Sequence, residues 1–156
     1  MKPLFIGAVG VITKNLAEGR ALYVDAIGLP LKQAEGTRFL HSEKLEGSKY
    51  FGVWPLSEAA RVCFGTEHWP TELPVPQLFI EFEVDSPASV VAAASDLKAK
   101  GIAFLHGPRT DPWGQTVARL QTKDGLVIGI SYVPWMHRST KRRTQRAKGS
   151  RRRLRK

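Results

Sequence analysis

The sequence contains very little cysteine and no long apolar run. Cys63 is the only cysteine in 156 residues, so neither an internal disulfide nor a Cys-rich zinc site can form within the chain. No segment approaches the roughly 20 consecutive apolar residues that a membrane-spanning helix requires. We therefore expect a protein that makes no membrane contact and works in the reducing environment of the cytoplasm.

Acidic residues are missing from the C-terminal end. Eleven of the 24 Lys and Arg residues lie between Arg138 and Lys156, where there is no Asp or Glu. Residues 1–137 therefore hold the other thirteen basic residues and all 14 acidic ones, a formal charge of −1, although the whole chain carries +10. Like charges in a block repel one another and attract polyanions without sequence preference. We predict a single domain over 1–137 and a basic, disordered tail over 138–156, with nonspecific nucleic-acid binding by the tail as an alternative function.

Several motifs of catalysis and cofactor binding are also missing. The sequence has no P-loop, no Ser-His-Asp pattern, no glycine-rich dinucleotide motif and no Cys/His spacing of the zinc type. Function must therefore be inferred from the order of the secondary-structure elements and from individual residues.

Two helices are predicted by their capping residues. Asn15 and Ser86 are good N-caps, and each precedes an apolar stripe with helical spacing that ends at a glycine. The predicted helices span 16–27 and 87–100.

A strand precedes each helix, and three shorter strands follow it. The first strands, Phe5–Thr13 and Gln77–Asp85, alternate with a period of two, and in the second strand Phe79 and Glu81 share a face opposite Leu78 and Ile80. The resulting βαβββ order occurs twice, which indicates two similar modules. The shorter strands are predicted at 29–34, 37–41 and 48–54 in the first half, and at 102–106, 115–120 and 126–133 in the second.

The two modules are joined by a proline-rich segment. We assign module one to 4–54, the linker to 55–76 and module two to 77–135. Ser57 is expected to cap a short helix, Ser57–Phe64, within the linker.

Five segments together resemble the vicinal oxygen chelate superfamily, which includes glyoxalase I, bleomycin-resistance proteins and extradiol dioxygenases. The similarity covers about residues 4–135. The matching segments are Asn15–Leu29 at the first helix, Phe82–Asp85 and Leu97–Gly101 around the second helix, and Pro112–Gly114 and Lys123–Leu126 near the last strands. The resemblance implies an α+β fold in which paired βαβββ modules form a cupped mixed sheet, and it implies a homodimer.

The resemblance also places the metal ligands of the family on four positions of this chain. These positions are occupied by Ala8, Gly52, Phe79 and Gly129, none of which has a donor side chain, whereas a catalytic metal needs about three or four protein ligands. We therefore expect no cofactor. The chain is predicted to resemble the metal-free members, which sequester a drug or metabolite in an aromatic cleft, as in antibiotic resistance.

The candidate ligand-binding residues are aromatic and charged side chains on the predicted strands and hairpin. Glu81 is the candidate polar anchor or general base, and Arg119 is expected to pair with a ligand carboxylate or, at the surface, with a neighbouring acid. The aromatic candidates are Trp54, Phe79 and Trp113.

A metal-dependent alternative stays open at this point. A lyase or dioxygenase of the same superfamily would require displaced ligands for a divalent metal, and the candidates for that set are His41, Cys63, Glu81 and His106.

Overall fold

Eight strands form one mixed sheet in the computed structural model, which describes residues 1–137. The strands are β1 Phe5–Thr13, β2 Lys32–Gln33, β3 Leu40–Ser42, β4 Tyr50–Pro55, β5 Leu78–Glu83, β6 His106–Thr110, β7 Thr116–Gln121 and β8 Val127–Tyr132. Their order is β2-β3-β4-β1-β5-β8-β7-β6. The central strands β1 and β5 are antiparallel, and each has a parallel neighbour, β4 or β8. The two halves of the sheet are thus built alike, and the predicted α+β class is confirmed.

Local hydrogen bonds start two of the helices where the sequence predicts them. The Asn15 side chain accepts from the backbone N–H groups of Ala17 and Glu18 at 3.1 and 3.3 Å, and the Ser86 hydroxyl accepts from Ser89 N at 3.2 Å. No helix among residues 1–137 is long and apolar enough to cross a membrane. The helices are α1 Leu16–Arg20, which continues as a π-helical segment Ala21–Ala26, α2 Leu56–Phe64 and α3 Pro87–Ala99.

The predicted cap of the linker helix is wrong. Helix α2 begins at Leu56, with Pro55 in the N-cap position, and no side chain caps it. Strand β4 ends at Pro55, whose extended backbone (φ −60°, ψ 133°) leads directly into the helix. Ser57 therefore already lies in the first turn and cannot act as the cap.

Two predicted strands are also placed incorrectly. Strand β2 contains only Lys32 and Gln33 of the predicted 29–34. The predicted strand 102–106 is replaced by β6, which begins at His106. The backbone N–H of Ile102 still bonds to the Leu97 carbonyl at 3.0 Å, so the chain is closing helix α3 where the strand was expected. Pairing with β7 then starts at His106 and shifts register before Arg109.

The two faces of the sheet carry different core clusters. Helix α3 packs Val90, Ala93 and Ala94 against Ala118 and Ile130 of the outer face. Helix α2 covers part of the inner face, where a second cluster contains Ala59, Ala60, Cys63, Trp54 and Phe79. Because side chains alternate along a strand, Arg119 lies on the inner face, next to Ala118 on the outer one. The part of the inner face that α2 leaves uncovered forms the candidate site.

Candidate functional site

An aromatic cleft of about 740 Å³ opens on the inner face of the sheet. Clefts of roughly 300–1,000 Å³ lined by apolar side chains and a few polar groups are typical of small-molecule sites. Helix α2, the β6–β7 hairpin and the segment after β8 all contribute to its walls. The aromatic residues that line it are Phe39, Tyr50, Trp54, Phe79, Trp113 and Trp135.

A buried ionic network forms the polar part of the cleft. Arg119 is only 2% exposed, and its guanidinium donates to Glu81 Oε1 at 3.1 Å and to Asp111 Oδ2 at 3.2 Å. Burial works against the charge, but Glu81 and Asp111 outweigh it and hold the pKa of Arg119 above its usual value. A buried charge is tolerated when it is paired and hydrogen-bonded in this way. Arg119 is therefore a fixed, permanently charged group.

Gln115 connects the network to the mouth of the cleft. Its Nε2 donates to Glu81 Oε2 at 2.7 Å and to the Ser131 hydroxyl at 2.8 Å. Its Oε1 accepts from Trp113 Nε1 at 2.8 Å. Both carboxylate oxygens of Glu81 thus already accept a hydrogen bond, from Arg119 and from Gln115. Glu81 lines the cleft as predicted, but protein donors occupy both of its oxygens.

The two predicted tryptophans lie at different depths. Trp54 is 9% exposed; its ring lies 5.5 Å from Phe79 and 5.5 Å from the guanidinium carbon of Arg119. Trp113 is 56% exposed, in the hairpin between β6 and β7. Because Gln115 holds its indole, Trp113 offers an apolar ring that is exposed and already oriented. Trp54 belongs to the floor of the cleft and Trp113 to its mouth.

The segment after β8 supplies a further wall. Residues 134–137 form a helical turn that places Trp135 in the cleft lining. The buried carboxylate of Glu83 anchors this turn, because it accepts from Val133 N at 2.8 Å and lies 3.0 Å from His137 Nε2. The basic tail 138–156 lies outside the described residues.

The four positions implied for metal ligands do not fit a divalent metal. Ala8, Gly52, Phe79 and Gly129 lie on β1, β4, β5 and β8 and offer no donor atom. The space above the two glycines is also filled. A Cβ atom added at Gly129 would lie 2.9 Å from Glu81 Cγ, and one added at Gly52 would overlap the ring of Phe39.

The structure does not assemble the displaced ligand set either. His41 stacks on Tyr50 with ring centroids 4.9 Å apart, and Cys63 is buried in the core, where burial raises its pKa to about 11. His106 Nε2 lies 3.3 Å from Arg119 Nη1, and burial lowers its pKa to about 4. Among residues 1–137, no three His, Cys, Asp or Glu side chains lie close enough together to hold a metal ion.

Two residues of the network, Asp111 and Gln115, are not among the candidates predicted from the sequence. Both residues flank the Pro112–Gly114 motif, so a polar residue on each side of this turn motif is the signal in the sequence that could have identified them. For Arg119 the sequence predicts a ligand carboxylate or, at the surface, a neighbouring acid as the partner. The structure shows the acid partners but buries the pair, because the register of β7 against β8 turns Arg119 inward.

Comparison with solved structures finds the same fold in other proteins. A glyoxalase/bleomycin resistance protein/dioxygenase superfamily member from Vibrio splendidus matches at 13% identity and a TM-score of 0.53, covering 83% of this chain and 100% of that one. The Mn(II)-bound glyoxalase of Novosphingobium aromaticivorans matches at 16% identity and 0.53, covering 83% and 38%. A variant of the methylmalonyl-CoA epimerase of Streptomyces coelicolor, in complex with 2-nitronate-propionyl-CoA, matches at 20% identity and 0.51, covering 85% and 96%.

Comparison with curated protein sequences finds no match. A family model does match: residues 5–130 fit the model described as Glyoxalase/Bleomycin resistance protein/Dioxygenase superfamily. This span contains all eight strands except the end of β8. The chain belongs to the glyoxalase/bleomycin resistance protein/dioxygenase superfamily.

Proposed function

We propose that this protein binds a small organic ligand in the aromatic cleft without using a metal. The observation that supports the proposal most strongly is that the four positions implied for metal ligands cannot bind a metal. They offer no donor, and Phe39 and Glu81 fill the space above Gly52 and Gly129, while an aromatic cleft of about 740 Å³ stays open beside them. The epimerase relative is in complex with a CoA ester, which supports a small organic molecule as the class of ligand.

The role of each lining residue in ligand binding depends on how deep it lies in the cleft. Trp113 stacks on the ligand at the mouth, and Trp54 and Phe79 form the apolar floor. Arg119 and Glu81 are positioning residues that hold the floor in place through their ion pair at 3.1 Å. Sequestration of a drug or metabolite, with antibiotic resistance as one outcome, is the function that this arrangement supports best.

Removing the Trp113 ring tests the proposal. Pyrenemethanol, a neutral and planar probe, is titrated into the full chain, and its fluorescence is followed. We expect Trp113→Ala to weaken binding by about five-fold or more, since an aromatic pair contributes roughly 0.5–1.5 kcal/mol beyond area burial. Leu22→Ala serves as a control, because Leu22 is also an exposed apolar residue and does not line the cleft. Equal affinities of wild type and Trp113→Ala would argue against this cleft as the site.

The wider organisation is part of the same proposal. We propose one domain over 1–137, with modules 4–54 and 77–135 joined by 55–76, a separate basic tail over 138–156, a homodimer, and a location in the cytoplasm. Sedimentation analysis of the full chain and of 1–137 checks the dimer. A monomer in both would contradict it.

A further inference from the structure

Three glutamates line the cleft and form no ion pair with any residue in the described part of the chain. Glu35 and Glu43 are exposed, and the half-buried Glu58 accepts only a backbone hydrogen bond, from Arg38 N at 2.7 Å. Within residues 1–137, no Lys, Arg or His nitrogen lies within 4.0 Å of any of these three carboxylates. We refer to Glu35, Glu43 and Glu58 as the rim glutamates.

The cationic side chains of the cleft are already neutralised. Arg119 pairs with both Glu81 and Asp111, and Arg61 pairs with Glu67. His41 is uncharged near neutral pH, because burial and the nearby Lys32 lower its pKa. Among residues 1–137, the charge in the cleft that protein groups leave unbalanced is therefore negative.

Tyr50, an aromatic residue in the wall of the cleft, is affected by this negative charge. Tyr50 stacks on His41 and on Phe39, with ring centroids 4.9 and 5.7 Å apart. Burial raises the pKa of Tyr50, and the carboxylates of Glu43 and Glu81 raise it further. Carboxylates and the faces of aromatic rings both attract cations.

We infer that the cleft selects an organic cation, whose planar apolar part lies among the aromatic rings and whose positive charge lies near the rim glutamates. The aromatic cleft constitutes the site, and the rim glutamates decide the sign of the ligand's charge. Glu81, the predicted anchor for a cation, does not fill this role because Arg119 and Gln115 occupy its oxygens. The inference rests on the proposed function.

Three probes with one ring system and different charges test the inference. Pyrenemethylammonium, pyrenemethanol and pyrenecarboxylate are titrated into the full chain at low salt. We expect the cation to bind most tightly and the anion most weakly, with the preference shrinking as salt screens the rim. This order opposes the net charge of +10, so nonspecific attraction to the whole chain would give the reverse.

Two triple variants with equal charge change locate the effect. The rim variant replaces the three rim glutamates by Gln, and the control variant carries Glu18→Gln, Glu72→Gln and Asp124→Asn, all exposed and outside the cleft. In the rim variant, we expect the ratio of the affinity for the cationic probe to that for the anionic probe to fall about ten-fold. The reason is that exposed ion pairs contribute roughly 0.2–1 kcal/mol each. The control variant should keep the preference.

The outcomes separate the inference from the proposed function. If pyrenemethanol binds in a Trp113-dependent way but the cation has no advantage, or if the rim variant keeps the advantage, the charge inference is wrong and the proposed function stands. If none of the three probes binds, both fail.

Discussion

At the scale of single residues, Arg119 determines the character of the site. It is 2% exposed and its guanidinium pairs with Glu81 and Asp111, and Arg109 also pairs with Asp111, so the positive charge on the inner face is already paired. Its partners come from β5 and from the residue after β6, so no local sequence pattern contains the network. The residue types and the alternation of β5 could be predicted, but the burial of Arg119 depends on pairing between distant strands.

His106 makes stability depend on pH. Burial lowers its pKa to about 4 from the ordinary histidine value of about 6.5, so between these pH values the unfolded chain binds a proton there that the folded chain does not. The contribution of His106 to stability is then complete above pH 6.5 and falls as the pH drops toward 4, by about 1–2 kcal/mol once solvent screening of this partly exposed group reduces the 1.36 kcal/mol per pKa unit. Urea denaturation of wild type and His106→Gln across this range checks the prediction.

The control for this prediction is His68→Gln, a substitution at an exposed histidine. The free energy of unfolding of His68→Gln should decrease as the pH is lowered, as it does in wild type. In His106→Gln the decrease that protonation of His106 causes should be absent. Parallel curves for His106→Gln and wild type would contradict the buried, neutral state of His106.

At the scale of elements, the caps of α1 and α3 were predictable, whereas the cap of α2 and the ends of several strands were not. Asn15 and Ser86 fix the helix starts through bonds to residues two or three positions away, which a sequence displays directly. The ends of β2 and β6 depend on partners in β3 and β7, which a sequence does not. The π-helical segment 21–26 cannot be distinguished in the sequence, because the spacing of its apolar residues is also compatible with an ordinary α-helix.

Strand β4 carries a glycine that close packing requires. A Cβ at Gly52 would overlap the ring of Phe39, whereas a Cβ at Gly107 of β6 would meet no atom within 4 Å. We expect Gly52→Ala to lower the free energy of unfolding by about 1–3 kcal/mol through overpacking, and Gly107→Ala to change it little. Denaturation of both variants measures the difference, and adding Phe39→Leu should recover part of the loss. A neutral Gly52→Ala would show that the space above Gly52 is not filled.

At the scale of the whole molecule, charge divides the chain in two. Residues 1–137 carry −1, and eleven basic residues follow between Arg138 and Lys156. This division, the superfamily and the sheet architecture could all be predicted from sequence. The closed metal positions could be predicted only in part, because the lack of donors is visible in the sequence but the filling by Phe39 and Glu81 requires the fold.

Deleting residues 138–156 tests the separation of the two parts. We expect the truncated chain to lose salt-sensitive binding to a random-sequence DNA duplex, since its basic residues are the source of counterion release. Pyrenemethanol binding should be unchanged. DNA binding that survives the deletion would place the contact on residues 1–137 instead.

Metal content combined with ligand binding tests the central claim most directly. The full chain is purified without chelator, its metals are measured by elemental analysis, and pyrenemethanol is titrated before and after treatment with EDTA. Metal-independent binding predicts far less than one divalent ion per chain and the same affinity in both titrations. One tightly held ion per chain, with binding lost when EDTA removes it, would contradict the account.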